Sequence, residues 1–176
     1  MKKCIHTILF VLTCFSTIAQ NKFTYNTNGF SPKFIVEDVD NLKSHEIYNK
    51  TLKWIKTTYN SPDDVIVTSI ENEMIRIVGI GNRVVKVGKV DFDVKYSLQI
   101  DFKDGKYKLT PLKIHCKATD HNFEWLEFDL ENGTPYFNKD GSVNNKFESY
   151  VTKIPELLND INYQLKTFIK SKEEKW

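Results

Sequence analysis

Phe92, Val94, Tyr96, Leu98, Ile100 and Phe102 alternate without a break with Asp93, Lys95, Ser97, Gln99 and Asp101. A period of two sends one row to each face of a strand. One row is apolar and the other polar, so the strand is half-buried in an antiparallel sheet. Asp104-Gly105 follows at once, and this pair is the strongest short hairpin signal. The return strand carries Tyr107 and Leu109 at odd positions, then Leu112, Ile114, Cys116 and Ala118 at even ones. A slip of one residue would turn every later apolar side chain to water. The phase change at Thr110-Pro111 therefore predicts a β-bulge there, where proline is tolerated. With a two-residue turn, Asp101 faces Lys108 and Gln99 faces Thr110; beyond the bulge, Lys95 faces His115 and Asp93 faces Lys117. The polar face reads as solvated sheet of mixed sign, held by cross-strand charge pairs.

Such a hairpin needs cover for its apolar row, and two amphipathic segments supply it. Ile47, Thr51, Trp54, Ile55, Thr58 and Tyr59 recur on one helical face, widened by Tyr48 and Leu52. Ser44 is a candidate N-cap with Glu46 in the first turn, and Asn60-Ser61-Pro62 ends the helix. Phe147, Tyr150, Val151, Ile154, Leu157, Leu158, Ile161, Leu165 and Phe168 form a second stripe, which Pro155 must kink or divide. Phe34-Ile35-Val36 starts a first strand, with a turn over 38–43. Val65 to Ile70 and Met74 to Ile80 are two more strands about Glu71-Asn72-Glu73, and 82–89 is a connection or frayed strand end. The order β-α-β-β-β-β-α predicts an α+β domain: an antiparallel sheet of about five strands with helices on one face.

The chain starts Met1-Lys2-Lys3, runs apolar from Ile5 to Phe15, and reaches Thr17-x-Ala19. A basic start, a short apolar run and small residues at −3 and −1 read as a secretory signal peptide over 1–19, cut before Gln20. The apolar run falls short of the roughly 20 residues a membrane span needs, and no later stretch reaches that length. Cys14 offers an alternative, a lipid anchor. Residues 20–33 read as a polar leader, 34–170 as a single domain, and 171–176 as a charged tail. Removing 1–19 takes Lys2 and Lys3, so the 25 basic residues fall to 23 and equal the 23 acids. A neutral domain lacks the excess charge of a nucleic-acid binder and the basic run that holds a protein to anionic lipid. Cys4 and Cys14 lie in the leader, so Cys116 stands alone without an intramolecular disulfide.

The motifs of chemistry are mostly missing. Gly79-x-Gly81 has Val84 where a dinucleotide loop needs its third glycine, and a strand pattern follows instead of a helix. His115, Cys116, Asp120 and His121 are the one metal-like cluster, yet adjacent strand residues point to opposite faces, and zinc needs three or four converging ligands. Cys116 with His121 is a conceivable nucleophile pair, but a core-facing thiol is inert. No nucleophile elbow, His-Glu-x-x-His or Cys-x-x-Cys occurs. The acid pairs Asp63-Asp64 and Glu71 with Glu73 sit in turns as solvated carboxylates. No cofactor or metal is expected.

The combination of an exported leader, Leu52-Lys53-Trp54-Ile55, Tyr59-Asn60-Ser61-Pro62-Asp63-Asp64-Val65-Ile66, Ile75-Arg76-Ile77-Val78-Gly79 and Tyr96-Ser97-Leu98-Gln99-Ile100-Asp101-Phe102-Lys103-Asp104-Gly105-Lys106-Tyr107 resembles a secreted bacterial family of unknown function with a TBP-like fold (DUF4468-like). The resemblance spans about 34–118. It implies a β-α-β4-α fold and supplies no catalytic residues; likeness to a DNA-binding saddle is no argument for DNA binding. The functional expectation is an exported, non-catalytic domain that binds a protein or cell-envelope partner. The alternative is a carrier of an apolar small molecule between the sheet and the C-terminal helix, and a hydrolase with an unrecognised site ranks third. A partner surface is expected on 119–145, which holds Phe123, Trp125, Phe128, Tyr136 and Phe137 outside any regular period. Trp125, Tyr136 and Phe137 are the candidate binding residues. Tyr136 and Phe137 are adjacent, so in an extended chain one of them faces out. The bland reading of Phe123, Trp125 and Phe128 is one more edge strand.

Overall fold

The computed structural model describes residues 22–119 and 123–171; the expected leader with Cys14, the cut before Gln20, and the expected tail beyond residue 171 lie outside them. Strands β1 (Thr24–Asn26), β2 (Gly29–Ser31) and β3 (Ile35–Asp38) lead into helix α1 (Ser44–Thr58) and a single turn, α2 (Pro62–Val65). Strands β4 (Ile66–Ile70), β5 (Met74–Val87), β6 (Val90–Lys103), β7 (Lys106–Ala118) and β8 (Leu126–Glu127) follow, and α3 (Glu148–Lys170) closes the order.

The long hairpin forms as its alternation requires. Lys103 pairs with Lys106 around Asp104-Gly105, and all four expected cross-strand pairs are in register. Gly105 has φ +76°, a backbone region that glycine enters without strain. The bulge falls one residue beyond Thr110-Pro111. Pro111 is buried opposite Leu98, and the next pair is Ser97 with Lys113, so Leu112 is the extra residue. Leu112 is therefore half-buried instead of lining the core, and the buried phase passes from Leu109 and Pro111 to Ile114.

The antiparallel strands run β3-β7-β6-β5-β4, and β8 adds to β7. The main sheet thus has six strands where about five were expected, because β7 is long enough for two short partners. β3 pairs with its start, Lys106 to Leu109, and β8 with His115-Cys116 near its end. The stretch 82–89 is no connection for the most part: β5 continues to Val87 through a bulge between Gly81 and Val85. Both long helices lie on one face. Ile77, Leu98, Ile100 and Ile114 of the sheet are fully buried with Ile47 and Ile55 of α1 and Ile154, Leu158 and Leu165 of α3. These side chains fill the space between sheet and C-terminal helix.

Three local expectations change for tertiary reasons. Ser44 is the first helical residue of α1 and not its cap; Asp104 from the β6–β7 turn accepts the Ser44 N–H at 2.9 Å and pairs with the Lys43 ammonium at 3.0 Å. Those two donors, the backbone N–H first, hold the Asp104 carboxyl below its ordinary range. α3 runs unbroken through the buried Pro155. The polar leader folds from residue 23 on, because Phe23, Tyr25 and Phe30 are buried and β1 pairs with β2. Asn159 of α3 accepts the Phe23 N–H at 2.7 Å and donates to its carbonyl at 2.9 Å.

A buried polar knot fixes α3 on β3. Glu37 is 3% exposed, accepts from Asn162 Nδ2 at 2.8 Å, and is paired with the Lys166 ammonium. Tyr107 donates its hydroxyl to Asn162 Oδ1 at 2.8 Å. Each buried group is satisfied by another, which a buried carboxylate demands.

Candidate functional site

The face of the sheet away from the helices is open, and its two halves differ. Toward the Asp104-Gly105 turn the polar groups pair mostly with one another, although Arg76 Nε is buried without a hydrogen-bond partner. Arg76 donates to Gln99 Oε1 at 2.8 Å, Gln99 donates to Asp101 Oδ1 at 2.9 Å, and Lys108 pairs with Asp101 at 3.1 Å. That half carries the in-register, mixed-charge ladder expected from the alternation.

The other half departs from it. Asp93 stands opposite Lys117 in register, yet its carboxylate accepts instead from the Arg83 N–H at 2.8 Å and the Thr119 hydroxyl at 3.0 Å. The lysines turn to an aromatic ring. Lys95 Nζ lies 4.7 Å and Lys117 Nζ 5.8 Å from the centre of the Trp125 ring. Both distances are in the range where a ring quadrupole attracts a cation. Neither ammonium has a carboxylate partner among the described residues. β8 sets this geometry. It pairs Glu127 with His115 and Leu126 with Cys116, so Trp125, two residues before Glu127, lies over the open face. Phe123, two residues before Trp125, is 63% exposed; Leu126 is 70% exposed but follows Cys116 to the other face of the sheet.

The three nominated residues do not meet in one place. Tyr136 packs against Phe128 at 5.0 Å, Phe147 at 5.3 Å and Tyr25 at 5.7 Å between ring centres. Phe137 stacks on Tyr25 at 6.5 Å. Both are half-buried, because Thr134–Tyr136 is a 3-10 turn and adjacent side chains there need not alternate. Phe128, 2% exposed, plugs this aromatic cluster from below. Tyr25 donates its hydroxyl to the Asp129 carbonyl at 2.7 Å, and burial raises its pKa well above the ordinary phenol value. The cluster is thus a packing layer that joins the β1–β2 hairpin to 128–137 and α3, and Trp125 stands apart from it. Sequence reasoning missed Lys95 and Lys117; their polar parity on one hairpin face was the available signal.

Of the metal-like cluster, Asp120 and His121 lie outside the described residues, His115 faces Glu127, and Cys116 is buried. No three His, Cys, Asp or Glu side chains converge among the described residues. Burial pushes the Cys116 thiol up to about 12, which disfavours the thiolate a nucleophile needs. No helix among the described residues is long and apolar enough to cross a membrane.

Comparison with known proteins extends the fold. A DUF4468 family protein from Bacteroides ovatus superposes with a TM-score of 0.64 at 15% identity, over 81% of this chain and 88% of its own. A TBP-like protein from Parabacteroides distasonis gives 0.59 at 16% identity, over 80% of this chain and 92% of its own. At these identities the likeness is one of fold. No curated protein matches the chain. Residues 36–117, from within β3 almost to the end of β7, match the domain of unknown function DUF4468 with TBP-like fold. Over residues 36–117 the chain is thus similar to DUF4468, a domain of unknown function with a TBP-like fold, and its α+β architecture agrees with that fold.

Proposed function

We propose that this chain is an exported, non-catalytic domain that binds a protein or cell-envelope partner through the open-face corner at Trp125. The observation that carries the reading is the pair of ammonium groups on the Trp125 ring, each lacking a carboxylate partner among the described residues. The acid in register with Lys117 is engaged elsewhere, which leaves two positive charges on the Trp125 ring, close in the chain to the exposed Phe123. Aromatic anchors ringed by charge are the residues that dominate interfaces. A partner that fits presents carboxylate or phosphate groups next to an apolar surface. The basic start and the Thr17-x-Ala19 site support export.

The experiment places a photoreactive residue at Glu127, exposed on the open face two residues after Trp125, in the full chain, tagged at the C-terminus and expressed in a bacterium with a cell envelope. The reading expects a discrete crosslinked species in the envelope fraction, lost in Trp125→Ala and reduced in Lys95→Glu/Lys117→Glu, on a chain whose N-terminus is Gln20. Tyr163, 69% exposed on α3, is the control position. The same species from Tyr163, or one indifferent to Trp125→Ala, would refute the site; an uncleaved leader would refute export.

A further inference from the structure

β4 ends the strand order on the side away from β3, so its outer edge presents backbone N–H and C=O groups to whatever approaches it. Its five residues, Ile66-Val67-Thr68-Ser69-Ile70, carry no charge, and Val67 and Ile70 are 50% and 49% exposed. The other rim strands are guarded: β3 has four residues and ends in the exposed Asp38, and β8 has two and ends in Glu127. Charge, brevity and bulges keep sheet edges from pairing; β4 has a register shift at Val67 and no charge within the strand. It is also held in place, since Tyr48 of α1 and Ser69 share a hydrogen bond of 3.0 Å. A firm, uncharged, exposed edge is the template for an added strand.

The flanks select the occupant. Asp63 and Asp64 stand just before β4, Glu71 and Glu73 just after it, and all four side chains are exposed. Antiparallel pairing of β4 with a second copy about Thr68 would bring the helical turn with Asp63 and Asp64 of one copy toward the Glu71-Asn72-Glu73 turn of the other, at both ends of the ladder. Like charges brought close together repel, so the flanks oppose self-pairing. The same four carboxylates attract a strand with basic ends. We infer that the outer edge of β4 binds an extended segment of a partner protein, apolar at alternate positions and carrying Lys or Arg at both ends, as an additional antiparallel strand. This surface lies at the opposite rim of the sheet from Trp125 and stands independently of the reading given for that corner.

The test is an NMR titration of the 15N-labelled chain with two synthetic peptides that share an alternating valine–threonine centre. One peptide is flanked by lysines and the other by glutamates. The lysine-flanked peptide is expected to move the amide signals of residues 66–70 and to bind about fivefold to tenfold more tightly at low salt, the effect of a few cross-strand charge pairs. The gap narrows as salt is raised. Glu71→Lys/Glu73→Lys should abolish the preference, since the flanks then carry two acids and two lysines, and Ile70→Lys should weaken binding of the lysine-flanked peptide while leaving the fold intact. Equal affinities, shifts centred elsewhere, or no binding to the folded chain would overturn the inference. So would a concentration-dependent dimer that Ile70→Lys dissociates, which would put a second copy on this edge.

Discussion

Gly79 faces Tyr96 directly across the β5–β6 ladder, and the tyrosine ring folds back over it. A Cβ at residue 79 would lie 2.5 Å from Tyr96 Cζ and 2.7 Å from Cε2. The ring would have to retreat by about 1 Å to regain contact distance. Tyr96 is buried, and its hydroxyl shares a 3.0 Å hydrogen bond with Tyr59 just past the end of α1, so the retreat also pulls at the seat of that helix. Overpacking of this kind costs about 1–3 kcal/mol, and a lost hydrogen bond adds about 1 kcal/mol. Relief of a flexible glycine in a strand returns about 0.5–1 kcal/mol. Gly79→Ala should therefore destabilise the fold by about 2–3 kcal/mol, or about 5–10 °C in Tm for a chain of this size. Urea denaturation of a double-mutant cycle separates the causes. With Tyr96→Ala as background, Gly79→Ala should be neutral or slightly stabilising. With Tyr96→Phe, which keeps the ring and removes the hydroxyl, most of the cost should remain. An equal cost of Gly79→Ala with and without the ring would refute the steric reasoning.

Asn162→Ala should cost about 2–4 kcal/mol in urea denaturation, because it strips a partner from both Glu37 and the Tyr107 hydroxyl, which are buried; a loss under about 1 kcal/mol would show that water replaces the amide. Cys116, with its thiol pushed up to about 12 by burial, should resist alkylation in the folded chain at neutral pH and react in urea. Peptide mass mapping reads the modification at Cys116, and rapid labelling of the native chain would contradict the packing of the β7 inner face.

The apolar and polar rows of the 92–118 hairpin, its turn and all four cross-strand pairs were legible in the sequence, as were the faces of both helices. Period two, period 3.6 and Asp-Gly are short-range signals, and within one hairpin the turn carries register to every later pair. The bulge was legible in kind but misplaced by one residue, because sequence alone does not say whether Pro111 or Leu112 is the better fit opposite Leu98. The failed dinucleotide pattern left Gly79 without a role in the sequence; the opposite strand supplies one by laying Tyr96 over it. Phe23, Tyr25 and Phe30 looked like strays in a polar leader until α3 and the 128–137 segment closed on them. Trp125 was nominated from its surroundings, yet its lysines were assigned to other partners: Lys117 was matched with Asp93, and the fold diverts that acid to Arg83 and Thr119. Each of these outcomes depends on groups distant along the chain competing for the same neighbour. Local pattern settles which face a side chain takes; only the packed structure settles which of several reachable partners it keeps, because the choice rests on differences of about 1 kcal/mol between contacts that no stretch of sequence contains by itself.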